Sequence, residues 1–175
     1  MIFKYLKLKK IDSTNNEAIR LIKKGATKPQ IILSNHQTKG RGRYGKKWIS
    51  MKGNLYMSLY FEINKSTSLK TITKINCSLI KDCMKKFVKN VKVKLPNDIL
   101  IKKKKICGIL QETITLKDRK FIIIGIGVNV KSSPKNLTYA TSYIDKHTRK
   151  KISKTLVCKT IKKYFEKRCD YVLSR

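Results

Sequence analysis

The segment Lys120-Phe121-Ile122-Ile123-Ile124-Gly125-Ile126-Gly127-Val128-Asn129-Val130 constrains the fold more than any other part of the chain. It is the most apolar stretch and is rich in β-branched residues, which predicts a strand in the middle of a sheet, covered on both sides. Its two glycines mark places where another backbone or a ligand comes close. Asn129 is the polar exception just after them. With 175 residues the chain is long enough to bury a substantial core, and residues 1–175 read as a single domain.

Other segments supply partners for that strand. Residues 1–11 alternate apolar and basic side chains, as an edge strand does, and Ile31-Ile32-Leu33-Ser34 reads as a short buried strand. Leu55, Met57, Leu59 and Phe61 share one face of a further strand. Val91 to Leu95 alternates until Pro96, which cannot donate to a ladder, so Asn97 and Asp98 fall in a turn. Ile99–Ile101 and Ile106–Glu112 then form a hairpin through Lys102-Lys103-Lys104-Lys105, in which Lys105 abuts the apolar strand and points inward.

Three helices follow from periodicity. Thr14 and Glu17 have capping-box spacing ahead of Ala18, Leu21 and Ile22, with Gly25 as the stop. Ile72, Ile75, Leu79, Cys83 and Phe87 trace one side of a long amphipathic helix over 69–88. Residues 153–169 give a closing helix with Leu156, Thr160, Ile161, Tyr164 and Phe165 inward. The expected class is α+β: a mostly antiparallel central sheet with helices packed on one face.

Chemistry concentrates in Gly40-Arg41-Gly42-Arg43-Tyr44-Gly45-Lys46-Lys47-Trp48. Its glycines let backbone N–H groups approach a ligand, and its arginines carry planar forks suited to carboxylate and phosphate oxygens. It is an anion-holding loop, but neither a P-loop nor a dinucleotide fingerprint, because no G-K-[ST] follows and the spacing is not G-x-G-x-x-G. His36 has no nucleophile placed beside it by spacing. The five cysteines contain no C-x-x-C pair, which points to a reducing cytoplasm rather than zinc or disulfides, and those of the long helix, Cys77 and Cys83, read as core filler. No metal ligands are assigned. The net charge of +33 permits nucleic-acid binding, yet lysines outnumber arginines and are spread over nearly every segment, which reads as a bias on solvated faces. No run is long and apolar enough for a membrane span or a signal peptide.

Six segments occur in one order: Ser13-Thr14-Asn15; Gln37 through Trp48; Asn54-Leu55-Tyr56; Lys94-Leu95-Pro96-Asn97-Asp98; Lys105 through Glu112; and Gly125-Ile126-Gly127-Val128-Asn129. Together they resemble the catalytic domain of biotin protein ligases, also called biotin–[acetyl-CoA-carboxylase] ligases, over roughly residues 10–130. The resemblance implies a two-step reaction. Biotin and ATP, with Mg²⁺, give biotinyl-5′-AMP; a lysine on the biotin carboxyl carrier protein or domain of acetyl-CoA carboxylase, or of a related carboxylase, then takes the biotinyl group. It implies that Ser13, Thr14, Asn15 and Gln37 hold biotin, and that Arg41, Gly42 and Arg43 close over biotin and the adenylate. It further implies that Lys105 bridges the biotin carboxylate and the α-phosphate as the principal catalytic residue, assisted by Arg43 and Asp98, and that Trp48, Asn97, Asp98 and Asn129 lie around the nucleotide, its metal and the incoming lysine.

Two departures accompany the resemblance. The family's usual tryptophan before Pro96 is Leu95, which is expected to keep an apolar wall without an aromatic face. The chain is also expected to have neither an N-terminal helix-turn-helix domain nor the small C-terminal barrel of many relatives, which argues against specific DNA binding. Relatives often form homodimers through sheet edges. The rival readings are a lipoate or octanoate ligase or transferase of the same superfamily, a basic nucleic-acid-binding module, and a remnant that binds biotin without transferring it.

Overall fold

The computed structural model describes residues 1–168. The elements are β1 (Lys4–Leu8), α1 (Thr14–Lys23), β2 (Gln30–Ser34), β3 (Leu55–Ile63), α2 (Leu69–Lys85), β4 (Val91–Lys94), β5 (Asp98–Ile101), β6 (Lys104–Leu116), β7 (Arg119–Val128) and α3 (Lys154–Arg168). The strands form one seven-stranded sheet in the order β1-β2-β3-β7-β6-β5-β4. β1 runs parallel to β2, with α1 as the crossover between them, and every other pairing is antiparallel. The apolar run is β7, hydrogen-bonded between β3 and β6, and the N-terminal segment is an edge strand, both as expected.

Helices pack on both faces of the sheet, α2 and α3 on one and α1 on part of the other, where the expectation placed them on one face only. Leu55, Met57, Leu59 and Phe61 of β3 join Ile122, Ile124 and Ile126 of β7 in the large core with Ile72, Leu79, Cys83, Ile161 and Phe165 from α2 and α3. The alternate residues Tyr60, Phe121 and Ile123 meet Ala18 and Ile22 of α1 on the other face. Strand alternation sends successive side chains to opposite faces, so one apolar run feeds both cores. α1 covers only part of its face; the remainder is open.

Several local expectations shift. Ser13, not Thr14, is the N-cap of α1, and no side chain caps the helix. Glu17 pairs with Arg20 at 2.7 Å instead of completing a capping box, because Thr14 is engaged elsewhere. On α3 the buried residues are Val157, Cys158, Ile161 and Phe165, while Leu156 faces outward at 47% exposure; Cys169 lies outside the described residues. The β5–β6 turn is confined to Lys102 and Lys103 (φ +46° and +62°), so Lys104 and Lys105 belong to β6. Two consecutive positive φ values at a two-residue hairpin match the twist of its strands.

One irregularity positions the site. Ile99 pairs with Cys107 but Leu100 pairs with Lys105, so Ile106 is an extra residue, a β-bulge. Ile106 and Cys107 are consecutive and both buried in the large core. The bulge therefore turns Lys105 onto the opposite face, alongside Gly108, and the backbone of Lys105 bonds to Ala140 and Ser142.

Candidate active site

The open part of the α1 face holds a cavity of about 400 Å³. Its floor is lowered by missing side chains. Gly108 pairs directly with Gly127, and Gly125 follows two residues earlier on the same face of β7. A Cβ at Gly127 would overlap the Trp48 indole, and one at Gly125 would overlap the Asn15 amide. At Gly108 it would come within 2.6 Å of Trp48 Cζ3. The glycines therefore admit Trp48 and Asn15 to the sheet surface, which answers the sequence signal of a close approach.

Lys105 stands at the edge of this floor. Its ammonium lies 2.8 Å from Asp98 Oδ1 in a close ion pair that lacks hydrogen-bond alignment. The rings of Trp48 and Tyr139 flank it, with centroids 5.3 and 5.1 Å away. Two π faces and one carboxylate hold the charge while leaving it directed at the cavity. Asp98 reaches this place because β5 begins at that residue, opposite Gly108. Asn97 is fixed by its Nδ2, which donates to Ile109 O at 2.9 Å.

At the start of α1 a chain of polar side chains replaces the expected cap. Thr14 N–H and Oγ1 both donate to Gln37 Oε1, at 2.8 and 3.0 Å. The Ser58 hydroxyl lies 2.7 Å from Thr14 Oγ1 and 2.5 Å from Asn15 Oδ1, and its single proton serves one of them at a time. Asn15 Nδ2 donates to Glu112 Oε2 at 2.7 Å and to Leu110 O at 3.3 Å. Arg41 Nη2 reaches the same Glu112 oxygen at 2.8 Å. Ser13 is buried and lines the cavity. The sequence reading missed Ser58 and Glu112 as members of this constellation. The signal for Ser58 was its place as a lone small polar residue on the alternate face of an apolar strand.

The Gly40–Trp48 loop is a small folded hairpin. Trp48 N–H donates to Gly40 O, Gly42 N–H to Lys46 O and Lys46 N–H to Arg43 O. The Gly42 amide is thus used inside the loop, contrary to the expectation of N–H groups left free for a ligand. At the tip Tyr44 adopts φ +53° and is 86% exposed. Arg43 lies over its ring and donates to its hydroxyl at 2.7 Å.

The cavity brings together all the residues nominated from sequence except Asn129. Asn129 is buried beside it, its Nδ2 donating to Ser142 O at 3.1 Å and its backbone tied to Ile106 and Ile144. It secures the 142–144 segment and borders only a minor side pocket with Trp48 and Lys105. Leu95 is 61% exposed and forms no part of the cavity wall, contrary to expectation. Seven Lys or Arg side chains line the cavity against one carboxylate, Asp98. Such a site favours an anion. Trp48 Nε1 is buried without a partner, a donor available to a ligand. Among the described residues no cluster of His, Cys, Asp or Glu could cage a metal. Mg²⁺, however, is commonly held by one or two carboxylates plus substrate phosphates, an arrangement that Asp98 fits.

Residues 8–129 match the family described as the biotin/lipoate A/B protein ligase family. The bifunctional ligase/repressor BirA of Bacillus subtilis is 32% identical over 174 residues, covering 93% of this chain and 53% of the relative. A biotin–[acetyl-CoA-carboxylase] ligase of Paracoccus denitrificans is 28% identical over 132 residues, covering 73% and 55%. The chain spans about half the length of the curated relatives it matches. Among solved structures, the biotin protein ligase of Aquifex aeolicus in complex with biotin and ATP superposes with a TM-score of 0.78 at 27% identity, covering 95% of this chain and 70% of that one.

Proposed function

Since the chain belongs to the biotin/lipoate A/B protein ligase family, we propose that it joins biotin to ATP as biotinyl-5′-AMP and then transfers the biotinyl group to a lysine of a carboxylase carrier domain. Acetyl-CoA carboxylase is the acceptor enzyme that the name of the Paracoccus relative supports. The observation that carries the reading is Lys105, turned by the bulge onto a glycine-cleared floor and held by Asp98 and two rings.

In the first step the biotin carboxylate oxygen bonds to the α-phosphorus and the bond to pyrophosphate breaks. An anion must approach a polyanion, so fixed positive charge is needed where their oxygens meet. Lys105 supplies it at the floor, and Arg41 and Arg43 supply it from the loop. Asp98 is the residue that would hold Mg²⁺ together with the triphosphate oxygens, where the ion would supply neutralising charge. Thr14 and Gln37 orient the biotin end, Asn15 and Ser58 brace them, and Trp48 packs against the nucleotide. Loop closure keeps water from the mixed anhydride.

In the second step the acceptor amine attacks the acyl carbon, AMP leaves with the anhydride oxygen, and the amine proton passes to Asp98 or solvent. The described cysteines are buried free thiols, which suits a reducing cytoplasm, and no helix among the described residues is long and apolar enough to cross a membrane. The test is incubation with labelled biotin, ATP and a purified acetyl-CoA carboxylase carrier domain. The expected result is ATP-dependent label on a single lysine. Label that appears without ATP, or that follows lipoate instead of biotin, contradicts the proposal.

A further inference from the structure

Glu112 has no part in the chemistry above, yet it sits where two parts of the site meet. One of its oxygens, Oε2, accepts from Asn15 Nδ2 at 2.7 Å and from Arg41 Nη2 at 2.8 Å. Asn15 belongs to α1 and touches the sheet at Gly125. Arg41 belongs to the basic loop, whose other side-chain bond, Arg43 to Tyr44, stays within the loop. Glu112 is therefore the side chain that links Arg41 of the loop to the start of α1, while Trp48 seats the end of the loop on the glycine floor. Its partners are both donors and one is cationic, so the pair is a charge-assisted hydrogen bond shared with a neutral one. The Glu112 side chain is 27% exposed and that of Arg41 37%, so solvent can reach the pair without dissolving it.

We propose that Glu112 is a positioning residue: it fastens the basic loop to the start of α1, holding Arg41 in its place over the cavity before any ligand arrives. Its effect on adenylation rests on the ligase reading above; its effect on the loop does not. The neutral, nearly isosteric Glu112→Gln removes the charge that holds Arg41 while keeping an acceptor for Asn15. In exposed loops, protease cleavage follows the population of the open form. Tyr44, at the loop tip, gives chymotrypsin a site there.

The experiment combines chymotrypsin cleavage at Tyr44 with biotin-dependent exchange of labelled pyrophosphate into ATP, on wild type, Glu112→Gln, Arg41→Ala and the double variant. For one coupled contact, an effect of about fivefold is expected. Cleavage of Glu112→Gln accelerates by about that factor at an unchanged melting temperature, and the KM for biotin rises by about as much while kcat moves less than twofold. Glu112→Gln adds nothing further to Arg41→Ala. Cleavage at the wild-type rate, a fall in kcat alone, or additive effects in the double variant would overturn the proposal. If Glu112→Gln does not fold, Arg41→Ala breaks the same pair from its exposed side, and its cleavage rate decides in the same way. A wild type without biotin-dependent exchange refutes the ligase reading, and the cleavage arm, which needs no substrate, still decides the tether.

Discussion

The two faces of the sheet are built by opposite means. Beneath α2 and α3, β3 and β7 present Leu55, Met57, Leu59, Phe61, Ile122, Ile124 and Ile126, and burial of their area stabilises the fold. On the other face the same strands carry Ser58, Gly125 and Gly127 at the corresponding positions, and β6 carries Gly108. There the side chains that would fill a core are missing, and Asn15, Trp48 and Lys105 occupy the space. One face is given over to the large core, and the other is divided between the smaller core beneath α1 and an open stretch that holds polar groups in a low, defined cavity.

Substitutions on the two faces therefore separate activity from stability. Lys105→Ala lies wholly on the chemical side: it should lower biotin-dependent exchange by about a hundredfold to a thousandfold, the scale of losing a preorganised electrostatic contact, with little change in melting temperature. A large loss of stability with exchange retained would break the comparison. Ile124→Ala lies on the other side and should cost roughly 2–5 kcal/mol in denaturant unfolding while kcat at low temperature stays near wild type.

Gly127→Ala tests the boundary between the two. The added methyl displaces the indole of the chain's one tryptophan, so exchange should fall about thirtyfold and emission should shift, while stability drops by no more than about 2 kcal/mol. An unshifted emission spectrum would mean that Trp48 does not rest on this floor. The smallest effect belongs far from either face. Lys117 and Asp118 hold the β6–β7 turn at φ +44° and +62°, so Lys117→Asn with Asp118→Gly should raise stability by about 1 kcal/mol and leave exchange unchanged.

How much was legible in the sequence divides along the same line. Alternation in β3 and the unbroken run of β7 revealed the sheet and its order of burial, because apolar periodicity reports what is removed from water. It could not report the bulge. Strict alternation would have put Lys105 on the face of Cys107 and Ile109, and only the adjacency of two core residues, Ile106 and Cys107, hinted otherwise. Thr14 and Glu17 had the spacing of a capping box, but Gln37, a tertiary partner, took the first side chain and Arg20, one helical turn on, took the second. Asn129 was nominated as a site residue by the family resemblance; its amide also secures the segment beyond the strand end, a tertiary bond that its place in the sequence did not signal. The second helix-covered face escaped notice because α1, with its amphipathic pattern, carries no mark of which side of a sheet it will cover.

The measurement that bears most directly on the central claim is exchange of labelled pyrophosphate into ATP by the purified chain with Mg²⁺ and no acceptor, run with biotin, with lipoate and with neither. The account predicts exchange that requires biotin, is not supported by lipoate and is lost in Lys105→Ala. Exchange with lipoate alone, or undiminished exchange in Lys105→Ala, would contradict the assignment of the glycine-floored cavity as a biotin-activating site.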